Sequence, residues 1–430
     1  MKIKLINHAS IHLDFNEIKF LCDPWYHGSI FNDGWQLLKE NSITLNEIET
    51  DYIWYSHEHP DHFSVKDLNK INDDKKKNVK ILFQETLDRK VVNFLNIKKF
   101  NIKELKLLKE YKISENLTII VGSVGGFDSW ILFKYKNFHI LNLNDCQTND
   151  SHLKKILNLA NNKIDILLTQ FSFANWICNE GDDKLANKQL DLIKKKIDRQ
   201  IKYLKPKFLI PFASFVYFCN SENFYLNKYT IRVSEIYERY KDITQVVIMA
   251  PNDTFDPEVF YDSKNALDVW DNEYNNIHDK EIINSKSIDF DEIKNTHKSY
   301  INNLKKNNNY FLIYILSIVG FFKTQKVFLK DLNKYIKFNL ISPISEIDKD
   351  DKAIEMSSDS FFYLIKFQWG RGTLFINGRL KCNYEELSEF MKITKITYAN
   401  NIGLKFPTSL KFKDLKKKSS FTELVDEAVE

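Results

Sequence analysis

Short apolar runs alternate with polar segments over the first 260 residues. Residues 2–6, 11–15 and 18–21 read as three strands in succession, and Tyr52–Tyr55 as a fourth. Residues 80–83, 117–121, 130–135, 139–143, 164–168, 208–211 and 245–249 continue the series. Runs of this length, rich in Ile, Leu, Val and aromatics and bounded by polar turns, are strand signals. Residues 184–204 carry apolar side chains at helical spacing, which predicts a long amphipathic helix. Strands first, then strand–helix alternation, repeated in two halves, predicts an α/β (α+β) layered sandwich over residues 1–262.

The pattern then changes. Residues 262–305 are polar, charged and poor in periodicity, so 263–289 read as a linker or peripheral helices and 290–430 as a smaller α+β domain. Residues 310–322 form the longest apolar run. A bilayer needs about 20 residues, so no transmembrane segment is expected. A buried helix is the first reading of this run, and contact with a membrane surface the second. Residues 361–367 and 372–377 look like paired strands turning at Trp369-Gly370-Arg371-Gly372.

Charge adds an exclusion. The 62 basic and 58 acidic residues leave a net charge of +4, too little to argue for nucleic-acid binding. Cys22, Cys146, Cys178, Cys219 and Cys382 form no CxxC pair and no disulfide-like spacing, which fits a reducing compartment. The opening residues read as a strand, not an export signal, so a cytoplasmic location is expected.

The chemistry is concentrated in Ser56-His57-Glu58-His59-Pro60-Asp61-His62, directly after a strand. Imidazole and carboxylate bind zinc, iron and manganese. The chain has only ten histidines, so three within six positions point to a metal loop formed by His57, His59, Asp61 and His62. Asp145, at the end of an apolar strand, is the next candidate ligand, and Asp128 a further one. Cys146 reads as a buried structural cysteine more readily than as a thiolate ligand. His8 and Asp23 sit at strand ends and are candidates to orient the ligands from behind. Trp25, His27 and Trp35 fall in a loop expected to overhang the site, and Asn175 follows another strand, so these four are candidates for substrate contact.

The HxHxDH spacing resembles the metallo-β-lactamase superfamily, whose αββα sandwich holds one or two metals at the sheet edges. That resemblance implies that Asp145 bridges two ions. Two histidines usual in its hydrolases are missing, from Val121-Gly122-Ser123-Val124-Gly125-Gly126 and from Ile210-Pro211-Phe212-Ala213-Ser214-Phe215. A closer likeness rests on several blocks. These are Ile6-Asn7-His8-Ala9-Ser10, Asp23-Pro24-Trp25-Tyr26-His27-Gly28, Phe31-Asn32-Asp33-Gly34-Trp35-Gln36-Leu37-Leu38, Phe127-Asp128-Ser129 and Asn142-Leu143-Asn144-Asp145-Cys146. In this order they resemble the catalytic region of the CMP-N-acetylneuraminate hydroxylase family, over roughly residues 1–260.

That likeness implies one or two iron ions, dioxygen and a nucleotide-linked N-acylated amino sugar. His57, His59 and Asp145 would hold one iron, with Asp61 and His62 holding a second or orienting the first. The family's vertebrate members carry an N-terminal Rieske domain. No CxH…CxxH pattern occurs in these 430 residues, so a separate electron-donor protein is expected. The alternative is a zinc hydrolase, in which Asp61 or Asp145 orients a metal-bound hydroxide toward an ester, amide or phosphoester. A binding module without activity ranks last. The 290–430 unit is left to dimerise, cover the pocket or recruit a reductase.

Overall fold

Two seven-stranded sheets lie face to face in the computed structural model, which describes residues 1–416. Residues 417–430, the end of the expected C-terminal domain, lie outside the described residues. The first sheet runs Thr254–Phe255, Lys2–Asn7, Ser10–Asp14, Lys19–Cys22, Tyr52–Tyr55, Lys80–Gln84, Asn101–Leu105. The second runs Gln245–Val246, Phe208–Phe212, Ile166–Gln170, Phe138–Asn144, Asp128–Tyr135, Leu117–Val124, Glu110–Lys112. The predicted strand at 245–249 is shorter than expected, and the more polar strands Asn101–Leu105 and Glu110–Lys112 carried too little apolar signal to be predicted.

Side-chain alternation explains the layers, because successive strand residues face opposite sides. Trp54 and Leu82 point between the sheets with Phe20, Ile131 and Phe133. Their neighbours Ile53, Tyr55, Ile81 and Phe83 point outward, where Val91, Val92 and Leu95 of the helix Lys90–Ile97 cover them. The helices Asp150–Leu159 and Asp183–Leu204 cover the second sheet through Leu153, Ile156, Ile197, Ile201 and Leu204. Residue 182 caps the longer helix, its Asp182 carboxylate accepting from the Leu185 amide at 3.1 Å.

Direction matters as much as order. Lys19–Cys22, Tyr52–Tyr55 and Lys80–Gln84 are mutually parallel, and so are Phe138–Asn144, Ile166–Gln170 and Phe208–Phe212. Their carboxyl ends therefore gather along one edge, the usual place for a site in a sheet of this kind.

The remaining described residues form a four-stranded sheet, Ser345–Ile347, Lys334–Phe338, Gln325–Leu329, Ile354–Met356, with helices around it. Two expectations fail here. The expected hairpin at 361–377 is a pair of helices, Ser358–Lys366 and Gly370–Asn377. Phe361, Leu364 and Ile365 share one buried helical face, and the Ser357 hydroxyl caps the first helix by accepting from the Ser360 amide. Gly370 lets the second helix begin against the first, because a Cβ there would lie 2.4 Å from the Tyr363 carbonyl oxygen. The apolar run at 310–322 gives a helix, Tyr310–Ile318, but not a buried one. It has neighbours on one side only, so Ile313 is buried while Phe311 and Ile318 are 73% and 63% exposed. No helix of the described residues is long and apolar enough to cross a membrane.

This unit is fused to the sandwich rather than tethered to it. Trp25, Phe31, Trp35 and Phe218 share one apolar core with Phe361, Leu374 and Phe390. Arg379 is 1% exposed. It donates from Nε to Glu222 and from Nη2 to Asp359, both at 2.7 Å, and from Nη1 to the Asn32 carbonyl. Lys330 pairs with Glu222 at 2.8 Å and completes a balanced set of four charges. Arg379→Met leaves two partly buried carboxylates short of a partner. It should lower the unfolding free energy by about 3–5 kcal/mol in urea titration, whereas a loss below about 1 kcal/mol would show that the network carries no load.

Candidate metal centre

Every predicted metal ligand lies on the shared sheet edge. The loop Ser56–His62 follows Tyr52–Tyr55, and Asp145 follows Phe138–Asn144. Asp128 begins Asp128–Tyr135, whose antiparallel direction brings its amino end to the same edge. His8 follows Lys2–Asn7, which is parallel to Lys19–Cys22 through the intervening antiparallel strand. At four of these strand ends the chain turns through left-handed backbone at a non-glycine residue: His8 (φ 41°), Asp23 (φ 42°), Asn144 (φ 52°) and Ala213 (φ 56°). Such residues cost roughly 1–3 kcal/mol each and concentrate at functional sites. The Ala213 amide donates to the His8 carbonyl at 3.0 Å and so links two of the four ends.

The donors fall into overlapping groups. His57, His59 and Asp128 form one, His57, His62 and Asp145 a second, and His8, Asp61 and His62 a third. His57 Nε2 and His59 Nδ1 are 2.9 Å apart, and Asp128 Oδ1 is 3.9 Å from His57 Nε2. His62 Nε2 is 3.2 Å from both Asp61 Oδ2 and Asp145 Oδ2, and His8 Nε2 is 3.6 Å from Asp61 Oδ2. Donors bound to one ion at about 2.1 Å stand roughly 3.0–3.4 Å apart, so these spacings suit metal ligation with small adjustments. Buried atoms with no hydrogen-bond partner among the described residues support the same fit: both ring nitrogens of His8, Asp61 Oδ1 and Asp145 Oδ1. Orphaned buried polar atoms are costly and call for an ion or water.

Asp23 stands behind His62. Its carboxylate accepts from the Ser56 amide at 2.7 Å, faces His62 Nδ1 at 3.1 Å and accepts from the Asn144 side-chain amide. His62 therefore presents Nε2 to the site. Asp128, a candidate ligand from the sequence, stands beside His57 and His59, and His8, expected only to orient ligands, stands beside Asp61 and His62 as a possible donor itself. Cys146 is fully buried and in none of the groups, and burial raises its thiol well above the ordinary value.

Two adjacent cavities lie at this edge. The larger, about 480 Å³, is lined by His27, Phe31, His59, Lys66, Lys90 and, from the C-terminal unit, Tyr363, Trp369 and Tyr398. The smaller, about 170 Å³, contains His59, Asp61, Asp128 and Asp145, with Trp35, Asn175, Gln170 and Lys196. Phe31, His59 and Ile376 line both. His27, Trp35 and Asn175 thus reach a cavity. Trp25 lines neither cavity: it is fully buried and packs edge-on against His8 at 5.5 Å.

Sequence reasoning missed Lys196 and the walls from the C-terminal unit. Lys196 had a local signal, since it falls on the buried face of an amphipathic helix with Ile197, Gln200 and Ile201. Tyr363, Trp369 and Tyr398 had none, because only the tertiary fold brings them to the site.

The sandwich and the placement of the HxHxDH loop decide the architecture. The chain has the metallo-β-lactamase fold. No family model matches its sequence. It is 26% identical over 240 residues to cytidine monophosphate-N-acetylneuraminic acid hydroxylase of Danio rerio, covering 49% of this chain and 37% of that one. With the protein of the same name from Xenopus laevis it is 30% identical over 158 residues, covering 34% and 26%. The chain thus spans well under half the length of these relatives. Among solved structures, CmlA, a diiron β-hydroxylase from Streptomyces venezuelae, superposes with a TM-score of 0.37 at 12% identity, covering 66% of this chain and 52% of that one. An isothiocyanate hydrolase from Delia radicum gut bacteria gives 0.43 at 17%, covering 60% and 98%.

The electrostatics of this metallo-β-lactamase site are uneven. Burial, with repulsion from His62 and His59, pushes His57 well below the ordinary imidazole value, and burial lowers His59 as well. Burial opposes the charge on His62, but Asp61, Asp145 and Asp23 overcome it and raise His62 well above that value. Burial, together with the nearby Asp145, pushes Asp128 up to about 7. Metal ligation needs His62 neutral and Asp128 ionised, so both must give up protons that their raised values retain. Metal affinity should therefore fall as pH drops through about 7, with one to two protons released per chain loaded near pH 6. Calorimetric titration of metal in buffers of different ionisation heat measures this; affinity flat between about pH 6 and 8 with no proton release would contradict it.

Proposed function

We propose that this protein is an iron-dependent oxygenase that hydroxylates an N-acylated amino sugar carried on a nucleotide. The observation that carries this reading is Asp128 beside His57 and His59. Two imidazoles and one carboxylate suit non-haem Fe(II) and leave neighbouring positions open, whereas an additional histidine in place of the carboxylate would suit zinc. Asp145 faces both donor groups through His57 and His62. With His8, Asp61 and His62 it can hold a second ion. Iron bound there would supply the activation of dioxygen.

The protein's own residues supply binding and shelter. The larger cavity falls within the usual size of a small-molecule site. Its aromatic walls, Phe31, Tyr363, Trp369 and Tyr398, suit stacking on a base or an N-acyl sugar face, and Lys66 and Lys90 suit a phosphate. His27 is held toward this cavity by Asp67 at 2.6 Å. Electrons would come from a donor protein outside these residues. Sequence similarity to the hydroxylases supports the same reading at low identity.

The expected result is oxygen uptake that requires Fe(II), a reductant and CMP-N-acetylneuraminate together, followed at an oxygen electrode and by mass gain of one oxygen atom in the product. Turnover of an ester, amide or phosphoester under strict anaerobiosis, with zinc bound, would replace the oxygenase by a hydrolase.

A further inference from the structure

Lys196 is an unexplained cation. It lies on the inner face of the helix Asp183–Leu204 and is 7% exposed, yet it has no ion pair within 4 Å among the described residues. Among the described residues its only side-chain hydrogen bond is long, from Nζ to Gln170 Oε1 at 3.4 Å. An ammonium removed from water costs several kcal/mol unless charge or hydrogen bonds replace its hydration. What surrounds it is the small cavity of the metal donors, where Gln147, Gln170, Ser172 and Asn175 supply uncharged polar groups.

Burial pushes the Lys196 ammonium below the ordinary lysine value, and the field of Asp145 and Asp128 opposes that shift only in part. Loading changes the balance. Two divalent ions would cancel much of the field of Asp61, Asp128 and Asp145, so the buried ammonium would keep its charge there only with an anion beside it. The cavity has Lys196 in its wall beside the metal donors and room for a small group.

We propose that Lys196, with Gln170 and Asn175 beside it, anchors an oxyanion of the substrate, a carboxylate or a phosphate ester, in the small cavity next to the metals. The proposal deepens the proposed function and rests on the metal-centre part of that reading. It also orients the substrate. Phe31, His59 and Ile376 line both the small cavity and the large one, so the two are neighbours. The anion would sit toward Lys196 and the bulkier, stacking part toward Trp369 and Tyr398, so the segment between them passes His59.

The test is calorimetric binding to metal-loaded protein without oxygen, using N-acetylneuraminate as the carboxylate probe and cytidine monophosphate as the phosphate probe. Wild-type protein is compared with Lys196→Met and Lys196→Arg, with metal counted in each. One probe should bind the wild type and weaken about tenfold or more in Lys196→Met, the loss expected for one charge-assisted hydrogen bond. Lys196→Arg should retain most of the affinity, and metal content should be unchanged in both. The probe that responds identifies the anion. Equal affinity in Lys196→Met, no binding of either probe to the wild type, or weakening that only follows metal loss would each overturn the proposal. Because no turnover is involved, a reaction that proved oxygen-independent would remove the oxygenase and leave this result standing.

Discussion

Asp23 is a carboxylate with no exposure to solvent, and its interactions join loops from both sheets. It accepts from the backbone where the histidine loop begins, faces the back of His62, and accepts from Asn144, the residue before Asp145. Removing a carboxylate from water is costly, so the fold must supply several donors at once. Meeting that demand holds His62 and Asp145 in one place. The strained turn at Asp23 itself, and those at His8, Asn144 and Ala213, are the geometric consequence: each strand end must turn back sharply for its side chain to reach the common edge.

The C-terminal unit belongs to the same arrangement. Arg379 and the shared core with Phe31 and Trp35 fix it against the sandwich, and this places Tyr363, Trp369, Ile376 and Tyr398 around the approach to His59. Fold stability and substrate access are therefore coupled through the loop 31–35, which packs on that unit on one side and lines both cavities on the other.

How much could be read from the sequence follows from how local each signal was. The histidine loop was legible because its donors lie within six residues after a strong apolar strand, and the strands around it were legible because both their faces are buried. Asp128 and His8 could be named but not placed, since their partnership with the loop depends on strand direction across two sheets. The segment 361–377 was misread because clustered aromatics resemble a hairpin until the burial of Phe361, Leu364 and Ile365 on one helical face is known. The helix Tyr310–Ile318 shows the converse: hydropathy reports that a residue can be buried, but not that a neighbour exists to bury it. Lys196 was hidden among three consecutive lysines, and only its register on the helix separates it from the other two.

The central claim is that the Asp128 carboxylate beside His57 and His59 selects iron. Its most direct test is elemental mass spectrometry of anaerobically purified protein from medium containing equal iron and zinc, wild type beside Asp128→His. The account predicts iron in the wild type and a shift toward zinc in Asp128→His, because the substitution adds a third imidazole to His57 and His59. Stoichiometric zinc in the wild type, or the same metal in both proteins, would contradict it.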